Sequence, residues 1–377
     1  MSNRNVSLAV CLSLGAWSVF GQAASGARYV VELTPNSTGT RFQGFSADAN
    51  LQNPVIDSIA NPAPLAGVQQ MIAKPDGSKF YILAPTGIQS IDPAFSSTSF
   101  KPINGVTGTL NSMTISPDGK YLYVGSSSGL FILDTSTDNV LSNTIPVSGN
   151  SVASVVFSAD SQNAYVLTNA AIGSAIHQVS TSTRTQVGQA LNLQYSCDMN
   201  TAGQPLCAIT MSPLQTIHVT NGGYVYEINP STLALTNTIT TSVSTMGPLR
   251  YTPDGSFAYA VNLTPSIGSR SMVQVNLSNH SFAELNYANS GVNAPTFTDV
   301  FPVSASRVLA VTSAAAGQAN PTTLYDIATS PLAAVPSTSL PALPSLILSN
   351  VLSATLSNEQ PRRFVCRRPS YVVRYFR

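Results

Sequence analysis

The chain of 377 residues carries 17 Lys plus Arg against 16 Asp plus Glu, and only 9% of it is charged, against about 25% in an ordinary soluble domain. That balance excludes a basic nucleic-acid binder and an acidic tail. Hydrophobic residues make up 43%, with 24 Gly and 25 Pro, so the core is large but cut into short pieces; collagen, coiled coil and wholesale disorder are excluded.

Residues 1–23 have the form of a secretory signal peptide. Arg4 supplies the positive start, Leu8 to Phe20 the apolar stretch, and Gly21-Gln22-Ala23 the small residues before cleavage. The apolar run is shorter than the ~20 residues a membrane-spanning helix needs. Residues 24–377 are therefore expected as one exported, secreted or periplasmic domain with no integral membrane segment. Arg28 to Leu33, RYVVEL, is strand-like and has no neighbour to pair with, whereas Asn36 to Pro64 (36–64) fits no repeat and is expected as an irregular connection.

From Val68 onward a nine-residue phrase recurs. KPDGSKFYI begins at Lys74, SPDGKYLYV at Ser116 and TPDGSFAYA at Thr252; weaker copies begin at Ser158, Ser212, Val303 and Ser357. Seven copies at steps of 40 to 54 residues match the period of a β-propeller. Ser-Pro-Asp-Gly suits a type I turn, with Pro fixing φ at the second position and Gly closing the fourth. Around the turn at Pro117 lie SMTIS, YLYVG, LFILD and VLSNTIPV, four β-rich runs separated by turn formers, which describe one four-stranded antiparallel blade. The units begin near residues 68, 108, 151, 205, 247, 296 and 350. The fold expected is all-β: a seven-bladed propeller of four-stranded blades, with Arg28 to Leu33 closing the last blade as its outer strand.

The stretch SPDGKYLYVGSSSGLFILDTSTDNVLSNTIPV resembles the repeat of the YVTN-family β-propellers, extracytoplasmic proteins related to lactonase-like propellers. The resemblance is strong around Pro117, good around Pro75 and Pro253, and loose elsewhere: Ala159 replaces the proline, and Leu214-Gln215 and Glu359-Gln360 replace Asp-Gly. It implies an exported propeller and leaves the function open.

In an up-and-down blade the turns joining strands one to two and three to four lie on one face. Connections from two to three and between blades lie on the other. Long insertions are expected on that second face at Thr168 to Ala175, Asn262 to Arg270, Thr312 to Thr322 and Cys197 to Cys207. Asn169, Ile172, Asp198, Asn200, Asn262, Ser266, Arg270, Gln318 and Asn320 are its candidate binding residues, because binding surfaces are commonly loops on a rigid scaffold. Cys197 and Cys207 bracket a polar excursion that an exported protein can staple with a disulfide, unpaired thiols being the alternative; Cys366 is left over.

Catalytic signals are weak. Gly125-Ser126-Ser127-Ser128-Gly129 matches G-x-S-x-G but stands in a β-hairpin rather than a strand-to-helix elbow. His177, His218 and His280 have no metal-ligand spacing, and Asp76, Asp118, Asp134 and Asp254 are placed to hydrogen-bond their own turns. No catalytic residue, metal or cofactor is assigned. Tyrosines such as Tyr121, Tyr123, Tyr165 and Tyr259 are expected to pack between blades. Six of thirteen arginines fall between Arg362 and Arg377, consistent with a final strand, a shifted gene end or a basic tail. The expected function is a non-enzymatic, monomeric binding or interaction scaffold, presenting its long-loop face to a protein, glycan or envelope component and not to nucleic acid. The alternative is a lactonase-like hydrolase with a polar site at the central channel.

Overall fold

The computed structural model describes residues 29–36, 39–46, 70–76, 78–91, 100–145, 151–170, 173–199, 205–263, 272–285, 296–304, 306–313, 324–328 and 353–357. Every element among them is a β-strand. In chain order β1 is Tyr29–Asn36 and β2 Gly39–Ser46. Sheet I contains β3 (Gln70–Ala73), β4 (Phe80–Ala84), β5 (Gly87–Ile91) and β6 (Phe100–Ile103). Sheet II contains β7 (Leu110–Ile115), β8 (Tyr121–Ser126), β9 (Gly129–Asp134) and β10 (Asn139–Ile145).

Sheet III follows with β11 (Ser151–Phe157), β12 (Asn163–Ala170), β13 (Gly173–Ser180) and β14 (Gln186–Leu193). Sheet IV has β15 (Ala208–Met211), β16 (Ile217–Asn221), β17 (Tyr224–Asn229) and β18 (Ala234–Thr240). Sheet V has β19 (Arg250–Tyr251), β20 (Phe257–Val261), β21 (Met272–Asn276) and β22 (Ser281–Leu285). Sheet VI comprises β23 (Thr296–Ser304), β24 (Arg307–Ser313) and β25 (Leu324–Ala328), and sheet VII is β26 (Ser353–Ser357) with β1 and β2. Within sheets I to VI strands pair strictly in sequence order and antiparallel.

Sheet VII joins the two ends of the described chain, since β1 pairs with β26 from Tyr29 opposite Ser357 to Leu33 opposite Ser353. Two sequence expectations are corrected here. First, β1 is the middle strand of its sheet and not the outer one, because β2 pairs along its other edge. Second, β2 lies inside 36–64, the stretch expected to be irregular. Its run Gly39–Ser46 lacks the turn phrase by which the other units announce themselves, yet an edge of β1 was available for it to cover. The arginine-rich stretch from 362 to 377, for which a final strand is one reading, lies outside the described residues.

The turn phrase works as its residues dictate. Ser116 accepts at its carbonyl from the Gly119 N–H at 2.7 Å, its Oγ donates to Asp118 at 2.6 Å, and Asp118 accepts from the Lys120 N–H. The same arrangement recurs at Ser158–Asp160–Gln162 and Thr252–Asp254–Ser256. Asp134, Asn229 and Asn276 likewise receive a backbone N–H two residues on. These hydrogen bonds hold the carboxylates of Asp134, Asp160 and Asp254 below their ordinary range. Where Gly closes the turn φ is +70° at Gly119 and Gly255, and the divergent copies force Ser161 and Gln215 into the same left-handed region.

The second strands of sheets I to V are sandwiched between neighbours and largely buried: Phe80–Ala84 and Ile217–Asn221 are fully covered. Apolar clusters run from sheet to sheet. Tyr123 and Ile132 of sheet II pack on Val152, Val155 and Val166 of sheet III, and Leu167 and Ile176 of III pack on Ile209 and Val219 of IV. Gly125 is required by this approach: a Cβ there would stand 2.6 Å from Val152 Cγ1.

A polar latch accompanies the packing. One position in the second strands, Tyr81, Tyr123 and Tyr165, meets the turn between third and fourth strands of the next sheet, where Asp138, Arg184 and Leu233 all adopt positive φ; His218 at the same position reaches His280 through Glu227, and Tyr259 accepts from Gln274 of its own sheet. Tyr81 donates to Asp138 at 2.8 Å, and the same carboxylate accepts from Lys79 and Ser90. Tyr165 donates to the Pro230 carbonyl at 3.1 Å. Arg184 stands over the ring of Tyr121, 5.9 Å from its centroid. The buried Tyr123 hydroxyl makes no hydrogen bond; its ring packs edge-on against Phe157, and burial pushes its phenol up to about 12.

Candidate functional site

The first strands of sheets I to VI stand at the end of their sheets, so each keeps one ladder edge unpaired by its own sheet. All six border a single cavity of about 620 Å³, within the ~300–1,000 Å³ common for ligand sites. β26, the corresponding strand of sheet VII, lies beside both β3 and β23. The described wall mixes aliphatic residues such as Ile72, Val156, Met211 and Leu249 with polar ones that include Gln70, Asn111, Thr210 and Arg250.

Several of these polar groups already join sheets. The Gln70 amide donates to the Met113 carbonyl and accepts from the Met113 N–H, both at 2.9 Å, so it caps the inner edge of β7 from β3. Asn111 donates to the Val152 carbonyl at 2.8 Å and to Ser151 Oγ at 3.1 Å, doing the same for β11 from β7. Thr210 and Tyr251 link β15 to β19 through their hydroxyls at 2.7 Å.

Behind Tyr251 a polar chain leads outward. Its hydroxyl lies 3.0 Å from His218 Nδ1, His218 Nε2 is 3.5 Å from Glu227 Oε1, and His280 Nδ1 is 3.2 Å from the same oxygen. Only His280 in this chain is well exposed. Burial raises the Tyr251 phenol well above its ordinary range. Burial also pushes the Glu227 carboxyl upward, but hydrogen bonds from His218 and Asn237, with the charges of His218 and His280, outweigh it and leave the group below its ordinary value. The chain holds sheets IV and V together, and its Thr210 and Tyr251 both line the cavity.

At the other end of the strands from the SPDG turns, the connection after β14 is braced to neighbouring hairpins. Cys197 and Cys207 are joined by a disulfide with Cα atoms 5.3 Å apart, and both cysteines are buried. Asn169 accepts from the Cys197 N–H at 2.9 Å, and Ser174 and Asn221 both donate to the Tyr195 carbonyl. Asp198 accepts from Thr245 at 3.0 Å, and Asn262 is buried where it bridges Met246. Thus Asn169, the exposed Asp198 and the buried Asn262 each brace a connection of this face. Ile172, Asn200, Ser266, Arg270, Gln318 and Asn320 lie outside the described residues. What stands exposed beside the braces is Met199 and Tyr195, whose ring stacks at 5.4 Å on Tyr224.

The expected insertion at Thr168 to Ala175 is corrected. β12 and β13 run on through it, pairing as far as Ala170 opposite Gly173, so the extra residues lengthen a hairpin instead of forming a loop. The polar, turn-rich residues there concealed two strands whose backbone could simply keep its ladder. Ser127 of the G-x-S-x-G match is exposed in the turn between β8 and β9, its N–H on the Thr109 carbonyl and its Oγ accepting from the Thr109 N–H. Among the described residues no three His, Cys, Asp or Glu gather as metal ligands, and none forms a helix long and apolar enough to cross a membrane.

Sequence reasoning missed the cavity wall. The first strand of each unit was identified, but Gln70, Asn111, Thr210, Tyr251 and Arg250 sit at no motif. The signal that could have found them is their shared place in the run before each turn phrase.

These features define a propeller-like all-β protein: successive antiparallel sheets whose first strands share one cavity. Hydrazine synthase of Kuenenia stuttgartiensis is a solved structure similar to it, with a TM-score of 0.53 and 17% identity over 70% of this chain and 78% of that one. A likeness at this identity speaks for the fold alone. No family model matches the chain, and no curated protein does.

Proposed function

We propose that this protein is an exported, closed seven-bladed propeller of the YVTN type that acts as a binding scaffold. Seven sheets, and the position of β26 beside both β3 and β23, support closure. The leader-like residues 1–23 and the disulfide support export to an oxidising compartment. The binding face is the one that carries Tyr195, Met199 and the Cys197–Cys207 connection. Its partner is a protein, glycan or envelope component, engaged by a monomer.

The observation that carries this reading is the use made of polar groups at the cavity. Gln70, Asn111, Thr210 and Tyr251 spend their hydrogen bonds on joining sheets, a use of polar groups that favours a scaffold. A lactonase-like hydrolase is the second reading, favoured by the shifted Tyr251 in that wall and the shifted Glu227 behind it. The purified mature protein separates the two: a lactone panel is screened for turnover, and isolated envelope fractions for saturable binding, with intact protein and a variant shortened between Asn262 and Arg270. Binding that disappears on shortening, with no turnover in either sample, is expected. Turnover that survives the shortening and vanishes in Tyr251→Phe establishes the hydrolase instead.

A further inference from the structure

The six first strands bordering the cavity do not present equivalent edges. The Gln70 amide occupies Met113 on the edge of β7, and the Asn111 amide occupies Val152 on the edge of β11. β19 is only two residues long, and β23 carries Pro302, which has no N–H to offer. β3 meets the cavity only at Gln70 and Ile72, and β15 differs from all five. Pro205 to Met211 line the cavity as seven consecutive residues, and β16 covers β15 on one side only. Its other edge carries no side-chain cap of the kind Gln70 and Asn111 supply, among the described residues.

An unpaired strand edge is a template for another strand, because its N–H and C=O groups repeat at the spacing of an extended chain. Ala208 to Met211 give a rail of roughly 13 Å at ~3.3 Å per residue; it follows the disulfide at Cys207, and the preceding Leu206 N–H is already given to the Asp198 carbonyl. Side chains facing a segment on this rail would be Val156, Met211, Leu249 and Leu263, with Ser154 and Thr210 as neutral hydroxyls. Among the described wall residues Arg250 is the one charge, so acidic or basic side chains inside would lose their hydration without a partner of matching number.

We propose that the cavity takes an uncharged, extended peptide segment, added as a strand to the inner edge of β15. This deepens the scaffold reading, resting on it only in treating the cavity as a site of contact. The ladder supplies affinity, and the neutral wall selects against charged sequences.

The test uses the full mature chain and an acetyl- and amide-capped pentapeptide of alternating Val and Thr. Saturable one-to-one binding is expected by calorimetry, with slowed amide hydrogen exchange at Ala208 to Met211. N-methylation of the two residues that face the rail should weaken binding by about tenfold or more, since two backbone hydrogen bonds are removed. Replacing two Thr by Glu should weaken it similarly, and Ser154→Trp, which fills the cavity, should abolish it. Equal affinity for the N-methylated peptide, protection elsewhere than β15, or no binding at all overturns the inference. If the peptide fails while loop-dependent envelope binding persists, the scaffold reading stands alone; if neither is seen, both fall.

Discussion

Tyr81 and Tyr123 occupy the same position in successive repeats, are equally buried, and differ in the hydrogen bonding of the hydroxyl, which at Tyr81 also lies 3.3 Å from the Thr135 carbonyl. The Tyr81 hydroxyl donates to the Asp138 carboxylate at 2.8 Å, whereas the Tyr123 hydroxyl has no partner. A hydrogen bond to a charged group stabilises by about 1.5–3 kcal/mol net, and an unmet buried donor costs about 1–3 kcal/mol. Tyr81→Phe should therefore lower stability by about 1.5–2 kcal/mol, because Lys79 and Ser90 remain on the carboxylate. Tyr123→Phe should be neutral or stabilising by up to about 1 kcal/mol, since it removes a desolvated group without breaking a bond. Asp138→Ala deprives three donors at once and puts Ala at φ 60°; a loss of about 3–4 kcal/mol is expected. Urea denaturation followed by far-ultraviolet circular dichroism measures all three, and the Tyr81→Phe/Asp138→Ala double variant should show coupling of at least about 1 kcal/mol. Equal destabilisation by the two Tyr→Phe changes, or strict additivity in the double variant, would refute the latch.

Stability should fall on acidification below about pH 4.5. Glu227 and the turn carboxylates of Asp118, Asp160 and Asp254 lie below their ordinary values in the folded protein, so their contribution is complete above the unfolded pKa and lost as pH drops through the folded one. Glu227→Gln should flatten this acid limb in urea midpoints taken from pH 7 to 3. The buried His177 is held below its ordinary 6.5, so it adds a loss beginning below about pH 6.5, which His177→Gln should remove. Gly125→Ala should cost about 2–3 kcal/mol by overpacking against Val152, seen as a lower melting temperature. Reduction of Cys197–Cys207, or its replacement by two serines, should cost about 3 kcal/mol for a loop of this size, checked by thermal melts with and without reductant.

Local chemistry was legible in the sequence wherever it acts over a few residues. The S-P-D-G turns, the Asx bonds at Asp134 and Asn229, and the order of strands within each unit all follow from neighbouring residues, because turn φ values and short-range hydrogen bonds do not depend on the rest of the chain. Tertiary structure alone decided what lies across sheets. No local rule places Gln70 on Met113, Tyr81 on Asp138 or Tyr251 between Thr210 and His218, since these pairs are separated by 33 to 57 residues and meet only when successive sheets pack. The same holds for β1, which pairs with β26 from the far end of the chain and takes β2 on its other edge: a strand's partners are chosen by whichever edges remain free once the other sheets have formed.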